Sequence, residues 1–183
     1  MKLVCISGNF TRPSRTRVLL ENVAESFARH AGCSAEVFDL LDAGPQLGTA
    51  TGRDNAGPAH LLMWEAVRGC DALAVASPVY KASYSGLLKH FFDLMEMDIL
   101  AGKPVLVGAT GKAPTHALML DHQFRPLFAF FRALVVPSSL FALDADFEAP
   151  DKLTQTMRAK VDSAVSEIKN LAEALATARS GHQ

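Results

Sequence analysis

Five short apolar runs, separated by longer segments with helical spacing, set the organisation of the chain. The runs that predict strands are residues 3–6, 35–40, 71–76, 105–109 and 135–143. Strands that alternate with helices in this way predict a three-layer α/β domain built around a parallel sheet. The second run alternates apolar and polar positions, which favours an edge strand.

Helical spacing predicts helices at residues 15–30, at 59–69, from Gly86 onward and at 150–176. Gly32 follows the first helix where a left-handed cap is expected, and the only tryptophan, Trp64, is assigned to core packing. The last helix is amphipathic and covers the sheet, and residues 177–183 are expected to fray. Five strands with short crossovers favour one flavodoxin-like domain over residues 1–183, with strand order 2-1-3-4-5.

Residues 115–134 are apolar on almost every side. A helix without a polar face is buried on two sides, so we expect it to contact the sheet and a second subunit of a homo-oligomer, a dimer or a tetramer. Pro126 lacks a backbone donor for the carbonyl of His122, which predicts a kink or a π-bulge at residues 121–125. The polar loop at residues 42–58 predicts a lid, a binding loop or a subunit contact.

Composition narrows the class of protein further. The chain has 183 residues, 49% of them hydrophobic and 20% charged, and a net charge of −1, so neither nucleic acid nor an anionic membrane is an expected partner. Its three cysteines form no CxxC motif and predict buried thiols in a reducing cytoplasm. Met1 leads directly into the first strand, and the most apolar window, residues 127–136, is too short to span a bilayer.

The loop after the first strand carries an unusual set of charges. Arg12, Arg15 and Arg17 cluster where the first helix begins, with Ser14 as a good N-cap. Cations are disfavoured at a helix N-terminus, so the cluster predicts a bound anion, most simply a phosphate. Three solvated arginines are the alternative. With a single glycine, Gly8, and many side-chain donors, the loop matches neither a Walker A motif nor GxGxxG and favours a monophosphate.

Two further loops are expected at the same edge of the sheet. The loop after the third strand holds Tyr80 and Tyr84 and suits a flat aromatic ligand, although a tight turn whose tyrosines cover the core is equally compatible. The fourth strand ends with Gly108 and Gly111, where small residues allow a ligand to approach the backbone. Free N–H groups at Gly111 and Lys112 are candidates for facing negative charge, and tight turning alone would also explain the glycines.

The motifs resemble one known family over nearly the whole chain, through the fifth strand. The strongest is PVYKASYSGLLK at residues 78–89, against a family pattern of PVYKAAYSGxLK. Residues 13–16 and 19–21, 109–111, 121–122 and 125–126 also match. The chain thus resembles the NADPH-dependent FMN reductases of the SsuE/MsuE family, which supply reduced flavin to two-component sulfonate monooxygenases.

The resemblance implies a set of flavin contacts at matching positions. The implied phosphate ligands are Ser14, Arg15 and Thr16. The implied contacts to the isoalloxazine and its ribityl chain are Pro78, Val79, Tyr80, Lys81 and Ser85. The implied contacts at the pyrimidine edge are Thr110 and Gly111. Asn9 and Thr11 stand where many relatives have Ser and Arg, and both can still donate to the phosphate. His122 stands where some relatives carry a Tyr in a bulged helix at a tetramer interface.

The implied reaction is hydride transfer from NADPH to FMN, which can leave as a product for an FMNH2-dependent monooxygenase. Because the flavin supplies the chemistry, no protein residue is assigned as catalytic. Two other activities remain open: an FMN-retaining reductase of quinones, azo dyes or metal oxyanions, and a flavodoxin-type electron carrier. Carriers are typically strongly acidic, which this chain is not. His116 and His122 lack the spacing of a zinc site.

Overall fold

The sheet is parallel and has the order expected from the sequence. The computed structural model describes residues 1–180. Its main strands are β1 (Lys2–Ser7), β2 (Ser34–Asp39), β3 (Ala72–Pro78), β4 (Pro104–Thr110) and β5 (Leu134–Ala142). They pair in the order β2-β1-β3-β4-β5, with every neighbour parallel, which confirms the flavodoxin-like topology.

Helices cover both faces of the sheet. They are α1 (Arg15–Ala28), α2 (Pro58–Gly69), α3 (Gly86–Asp93), α4 (Arg125–Phe130) and α5 (Gln155–Ser180). Alternate residues of β3 point to opposite faces: Leu73 and Val75 pack in the core with α2, α3 and α4, and Ala74 packs in the core with α1 and α5. Trp64 is buried in the first of these cores, as expected. Gly32 has a φ of 71° after the end of α1.

A short hairpin precedes the last helix and was not expected. Its strands are β6 (Phe147–Ala149) and β7 (Lys152–Leu153), which pair antiparallel. The expected start of the last helix at residue 150 is therefore wrong, because the chain first turns back so that Phe147 and Leu153 join the core beneath α1 and α5. The helix also continues through residues 177–180, which were expected to fray, and residues 181–183 lie outside the described part.

The segment at residues 115–134 is not the single helix expected. It consists of a 3-10 turn (Pro114–Leu118), a π-helix (Leu120–Phe124) and α4, and residue 134 already belongs to β5. Pro126 lies in the first turn of α4, where its missing N–H costs least, and the backbone before it widens into the π-helix. The expected irregularity at residues 121–125 is confirmed.

The long loop after β2 is largely ordered into two 3-10 turns, Pro45–Thr49 and Arg53–Asn55. Leu47 of the first turn is buried in the core that faces α2 and α3. The loop therefore completes the core at this edge of the sheet. Among residues 1–180, no helix combines the length and apolar character that crossing a bilayer requires.

Candidate active site

The loops after β1 and β3 are fastened together at the carboxyl edge of the sheet. Gly8 N donates to Ala76 O at 2.7 Å, and Ser85 Oγ donates to Gly8 O at 2.7 Å. Ser85 N in turn donates to Ser77 Oγ at 2.9 Å, and Ser85 Oγ caps α3 by accepting from Leu88 N. The two loops that strand order places side by side are thus held in a fixed relation.

Gly8 is required by the closeness of these loops. A Cβ atom at this position would lie 2.9 Å from Leu88 Cδ2 and 3.0 Å from Ser77 Oγ. Both distances are shorter than an ordinary contact, so the side chains of Leu88 and Ser77 would have to move to make room for a methyl group. The single glycine of the first loop therefore serves close packing between the two loops.

The loop after β3 is built on a two-residue turn. Tyr80 N donates to Ser83 O at 2.8 Å and Ser83 N to Tyr80 O at 3.0 Å, around Lys81 (φ 49°) and Ala82 (φ 66°). This is a type I′ turn formed without glycine, which costs roughly 1–2 kcal/mol for each left-handed residue. Such strain persists where the surrounding structure fixes the turn, and it is a feature of binding sites.

The turn presents an aromatic side chain to the solvent. Tyr80 is 43% exposed and its ring stacks on Phe10 of the first loop, with ring centroids 5.3 Å apart. Phe10 is 41% exposed. Tyr84, by contrast, is only partly exposed and stacks on Phe124 at 5.1 Å, so it belongs to the core beside the π-helix. Of the two tyrosines that the sequence singled out, Tyr80 is the one available to a flat ligand.

The end of β4 joins the same edge. Thr110 Oγ1 lies 2.6 Å from Thr16 Oγ1 in the first turn of α1, and Thr110 O accepts from Val79 N at 2.9 Å. Gly111 N donates to Ala142 O at 3.0 Å. The expectation that the Gly111 N–H is free to face negative charge is therefore wrong, because β4 continues its pairing with β5 for one more bond. Within the described chain, Lys112 N has no hydrogen-bond partner.

Helix α1 begins at this edge with its donors available. Ser14 caps the helix by accepting from Arg17 N at 3.3 Å, and its first turn contains no acidic residue. The first N–H groups of a helix point away from it and carry a partial positive charge, so they suit an anion. Arg15 lies beside them, and its Nη1 donates to Asp144 Oδ1 at 2.5 Å. Its guanidinium carbon lies 5.4 Å from the centre of the Phe147 ring.

The other two arginines of the first loop do not extend freely toward an anion. Arg12 and Arg17 both pair with Asp39 and Asp42, at distances between 2.5 and 3.2 Å. Arg12 and Arg17 therefore give no support to the expected phosphate, because carboxylates at the end of β2 and just beyond it satisfy them. Of the three arginines expected to surround an anion, only Arg15 is left.

Asn9, whose side chain was implied to donate to the phosphate, is only 2% exposed. Its Nδ2 donates to Thr11 O at 3.0 Å and to Asp39 Oδ2 at 3.2 Å, while Ser7 Oγ donates to its Oδ1. Its polar atoms therefore fix the course of the loop. Thr11 lies exposed on the outside of the same loop.

A cleft with a volume of about 300 Å³ opens between these elements. Half of the twelve expected site residues line it: Arg15, Pro78, Val79, Tyr80, Thr110 and Gly111. The remaining six lie outside its lining, in the first loop and helix start, on the β3 turn, and at the start of α3: Asn9, Thr11, Ser14, Thr16, Lys81 and Ser85.

Sequence reasoning missed the far wall of the cleft. Asp144 and Phe147 come from the turn and hairpin after β5, and Ala142 from the end of β5 itself. Only the position of Asp144 and Phe147 after the last strand could have pointed to them, because strands of two and three residues are too short to show a hydrophobic period.

A larger cavity, of about 490 Å³, lies elsewhere, between α3 and the π-helix. Its lining is mainly apolar and includes Phe92, Met97, Leu127 and Phe130. It lacks a helix N-terminus of the kind that α1 offers, so its chemistry does not suit a phosphate. The cleft, with an open helix start, one arginine and an exposed tyrosine ring, fits a flavin mononucleotide better.

A family comparison shows the class of protein to which the chain belongs. A family model described as NADPH-dependent FMN reductase matches residues 1–148 of the chain. The chain belongs to the NADPH-dependent FMN reductase family. The resemblance drawn from the motifs is thereby confirmed, and the protein is a flavin reductase, an oxidoreductase that uses FMN and NADPH.

Individual FMN reductases are similar over most of their length. An FMN reductase (NADPH) from Pseudomonas aeruginosa is 41% identical over 161 residues, covering 87% of this chain and 86% of the relative. An NADH-dependent FMN reductase SfnF from Pseudomonas fluorescens is 39% identical and covers 88% of this chain and 86% of that one. The apo structure of an NADH:FMN oxidoreductase (EMOB) matches with a TM-score of 0.80 at 28% identity, covering 94% of this chain and 89% of the other.

Proposed function

We propose that this FMN reductase releases reduced flavin to an FMNH2-dependent monooxygenase of sulfonate sulfur metabolism. The observation that carries the proposal is the weakly charged phosphate end of the cleft. Its one arginine, Arg15, is already paired with Asp144, and Arg12 and Arg17 are neutralised by Asp39 and Asp42. A phosphate there gains little net charge attraction, so FMN is expected to exchange as a substrate instead of remaining bound.

The proposal assigns each expected site residue a part. Ser14, Arg15, Thr16 and the free N–H groups of α1 bind the phosphate, and Asn9 and Thr11 shape the loop around it. The segment from Pro78 to Lys81 borders the ring system, with Ser85 fastening that segment to the first loop. Thr110 and Gly111 border the pyrimidine edge, where the Lys112 N–H is the donor left for negative charge.

The residues of the chain bind and orient; they do not react. When bound, the flavin accepts the hydride and NADPH provides it. Tyr80 lines the cleft with its ring stacked on Phe10, and the strained turn at Lys81 and Ala82 fixes the position of that ring. Orientation of two reactants on a fixed surface is the contribution expected from such a site.

Flavin dependence of NADPH oxidation tests the proposal. The purified protein, freed of flavin, is mixed with NADPH alone and then with added FMN, FAD or riboflavin. We expect oxidation to require free flavin, to be fastest with FMN and to follow saturation in FMN. Turnover that persists with bound FMN and needs a quinone or azo dye would indicate a flavin-retaining reductase, and very slow oxidation with a stable semiquinone would indicate an electron carrier.

Two further features belong to the proposal. The three cysteines are free thiols, which suits a reducing cytoplasm; Cys5 and Cys70 are buried as expected, whereas Cys33 is only partly buried. Met97 and Phe130, 70% and 64% exposed, lie beside the same apolar cavity at the π-helix. Large apolar side chains exposed together are typical of protein contacts, and we assign this surface to the contact between copies of the chain in a homo-oligomer.

A further inference from the structure

Asp39 is the most highly connected acidic side chain near the cleft. It is the last residue of β2, and its side chain is fully buried. Its carboxylate accepts from Arg12 Nε at 2.7 Å and Nη2 at 2.8 Å, from Arg17 Nη1 at 3.0 Å and from Asn9 Nδ2 at 3.2 Å. Leu41 N adds a fifth bond at 3.0 Å.

These bonds reach both ends of one loop. Asn9 and Arg12 belong to the loop after β1, and Arg17 belongs to the first turn of α1. The segment between them contains Ser14, Arg15 and Thr16, the residues proposed to face the phosphate. One buried carboxylate therefore fixes the flanks of the proposed phosphate site without lining the cleft itself.

The buried carboxylate of Asp39 is kept ionised by its donors. Burial by itself raises the pKa of Asp39, but hydrogen bonds from Arg12, Asn9 and Arg17 outweigh it and hold the pKa below its ordinary value. The carboxylate is thus ionised at neutral pH and satisfies the two guanidinium groups, together with Asp42. Arg12 forms a two-pronged pair with Asp39, a geometry that fixes direction as well as distance.

We propose that Asp39 is a positioning residue for flavin recognition: through Asn9, Arg12 and Arg17 it sets the loop that binds the phosphate of FMN. This inference rests on the proposed function, in which that loop meets the phosphate. Riboflavin lacks the phosphate and so does not depend on the geometry of the loop. Asp39 therefore contributes to discrimination between FMN and riboflavin although it touches neither.

Binding of the two flavins separates positioning from general damage. Dissociation constants for FMN and riboflavin are measured by flavin fluorescence in the wild type, in Asp39→Asn and in Glu21→Gln. Glu21 pairs with Arg17 Nε at 2.8 Å, so its variant removes the same charge from the same network at an exposed site. We expect Asp39→Asn to raise the dissociation constant for FMN roughly tenfold, which corresponds to about 1.4 kcal/mol. The dissociation constant for riboflavin should rise by less than about twofold. Glu21→Gln should bind both flavins nearly as the wild type does.

Hydrogen exchange provides a readout independent of flavin chemistry. In Asp39→Asn without ligand, amides of residues 9–17 should exchange faster than in the wild type, while those of β3 and β4 stay protected. If Asp39→Asn does not fold, Arg12→Lys replaces it, because lysine keeps the charge but cannot make the two-pronged pair. Arg12→Lys should also weaken the binding of FMN more than that of riboflavin.

The outcomes distinguish this inference from the proposed function. If Asp39→Asn loses affinity equally for FMN and riboflavin, or if its affinity for FMN is unchanged, the proposed role of Asp39 is overturned. Tighter FMN binding in both Asp39→Asn and Glu21→Gln would also overturn it, since charge would then matter more than geometry. If the wild type does not prefer FMN over riboflavin, the phosphate site itself is misplaced and the proposed function fails first.

Discussion

At the scale of single residues, Ser85 and Asn9 lie in the expected flavin-binding segments, yet their side chains bond to the protein. Ser85 Oγ donates to Gly8 O and Asn9 Nδ2 donates to Thr11 O and Asp39. Both residues are almost fully buried, so their polar atoms are engaged in holding loops together. Arg15, which is exposed at the rim of the cleft, remains the side chain best placed to meet an anion.

Loss of the Arg15 hydrogen bond to FMN should affect recognition of the phosphate alone. We expect Arg15→Gln to raise the KM for FMN about tenfold and to leave the KM for riboflavin nearly unchanged, since a hydrogen bond to a charged group contributes about 1.5–3 kcal/mol. Arg29→Gln is the matched control, because Arg29 lies at the other end of α1 and makes a similar exposed pair with Asp162. An equal effect on both flavins would contradict the phosphate role.

Gly8 gives a second residue-scale prediction. Gly8→Ala places a methyl group 2.9 Å from Leu88 Cδ2, and we expect it to lower the free energy of unfolding by about 1–3 kcal/mol and to weaken FMN binding. Gly86→Ala, at the first position of α3, meets no atom within 4 Å and should be neutral or stabilising. Denaturant unfolding of the two variants checks the contrast. Equal stability would show that the two loops are less tightly packed than described.

Local patterns made some of these residues predictable. Ser14 precedes a helix and could be assigned as its cap from the sequence, as the structure confirms. The partners of Arg12 and Arg17 could not be assigned, because Asp39 lies 22 or more positions away and meets them only when β2 pairs beside β1. Side-chain pairing of that range depends on the tertiary fold, which no local pattern encodes.

At the scale of secondary structure elements, the packing of α2 on α3 includes a buried histidine. His60 is 0% exposed and its ring lies 4.3 Å from that of Trp64 and 5.4 Å from that of Phe91. Neither ring nitrogen has a hydrogen-bond partner in residues 1–180. Burial, followed by the nearby His90, lowers the pKa of His60, so the folded state favours the neutral ring.

This histidine predicts a dependence of stability on pH. Because the pKa of His60 is lower in the folded state than its unfolded value of about 6.5, its contribution is complete above about pH 6.5 and is lost as the pH falls below it. His60→Leu should flatten that part of the stability curve and raise stability at pH 7.5 by about 1 kcal/mol, since two unsatisfied nitrogens are removed.

Chemical unfolding between pH 5 and pH 8 measures the effect. His30→Gln serves as the control for removal of a histidine outside the core, because His30 lies just beyond the end of α1 and is only partly buried. A curve for His60→Leu that keeps the full wild-type slope would refute this role of His60.

Some secondary structure elements could be predicted from the sequence and others could not. Pro126 marked the break before α4, because a missing backbone donor has the same consequence in any helix. The break divides a segment that periodicity alone assigned to one helix. The hairpin of β6 and β7 carried no comparable signal, although it brings Phe147 under Arg15 and so helps to form the cleft.

At the scale of the whole molecule, the order of strands decides where ligands meet the protein. Alternation of strands and helices was enough to predict the order 2-1-3-4-5, and that order places the loops after β1 and β3 at the switch point. The hydrogen bonds of Gly8 and Ser85 hold these two loops beside each other. The edge of the sheet that carries the candidate cleft was therefore predictable from the sequence, while the far wall of the cleft depends on the course of the chain after β5.

Self-association is the second prediction at this scale. Light scattering after gel filtration should give a mass of at least twice 19.7 kDa, and Phe130→Glu should shift it toward the monomer. Leu62→Glu is the control, since Leu62 is 70% exposed on α2, away from the π-helix. A monomeric wild type, or equal effects of both variants, would contradict the assignment of this surface.

The position of FMN in a crystal structure of its complex tests the account most directly. We predict the phosphate at the start of α1 beside Arg15, and the ring system between the Tyr80 turn and Gly111. Electron density for FMN in the apolar cavity beside the π-helix, or with its phosphate away from α1, would contradict the account.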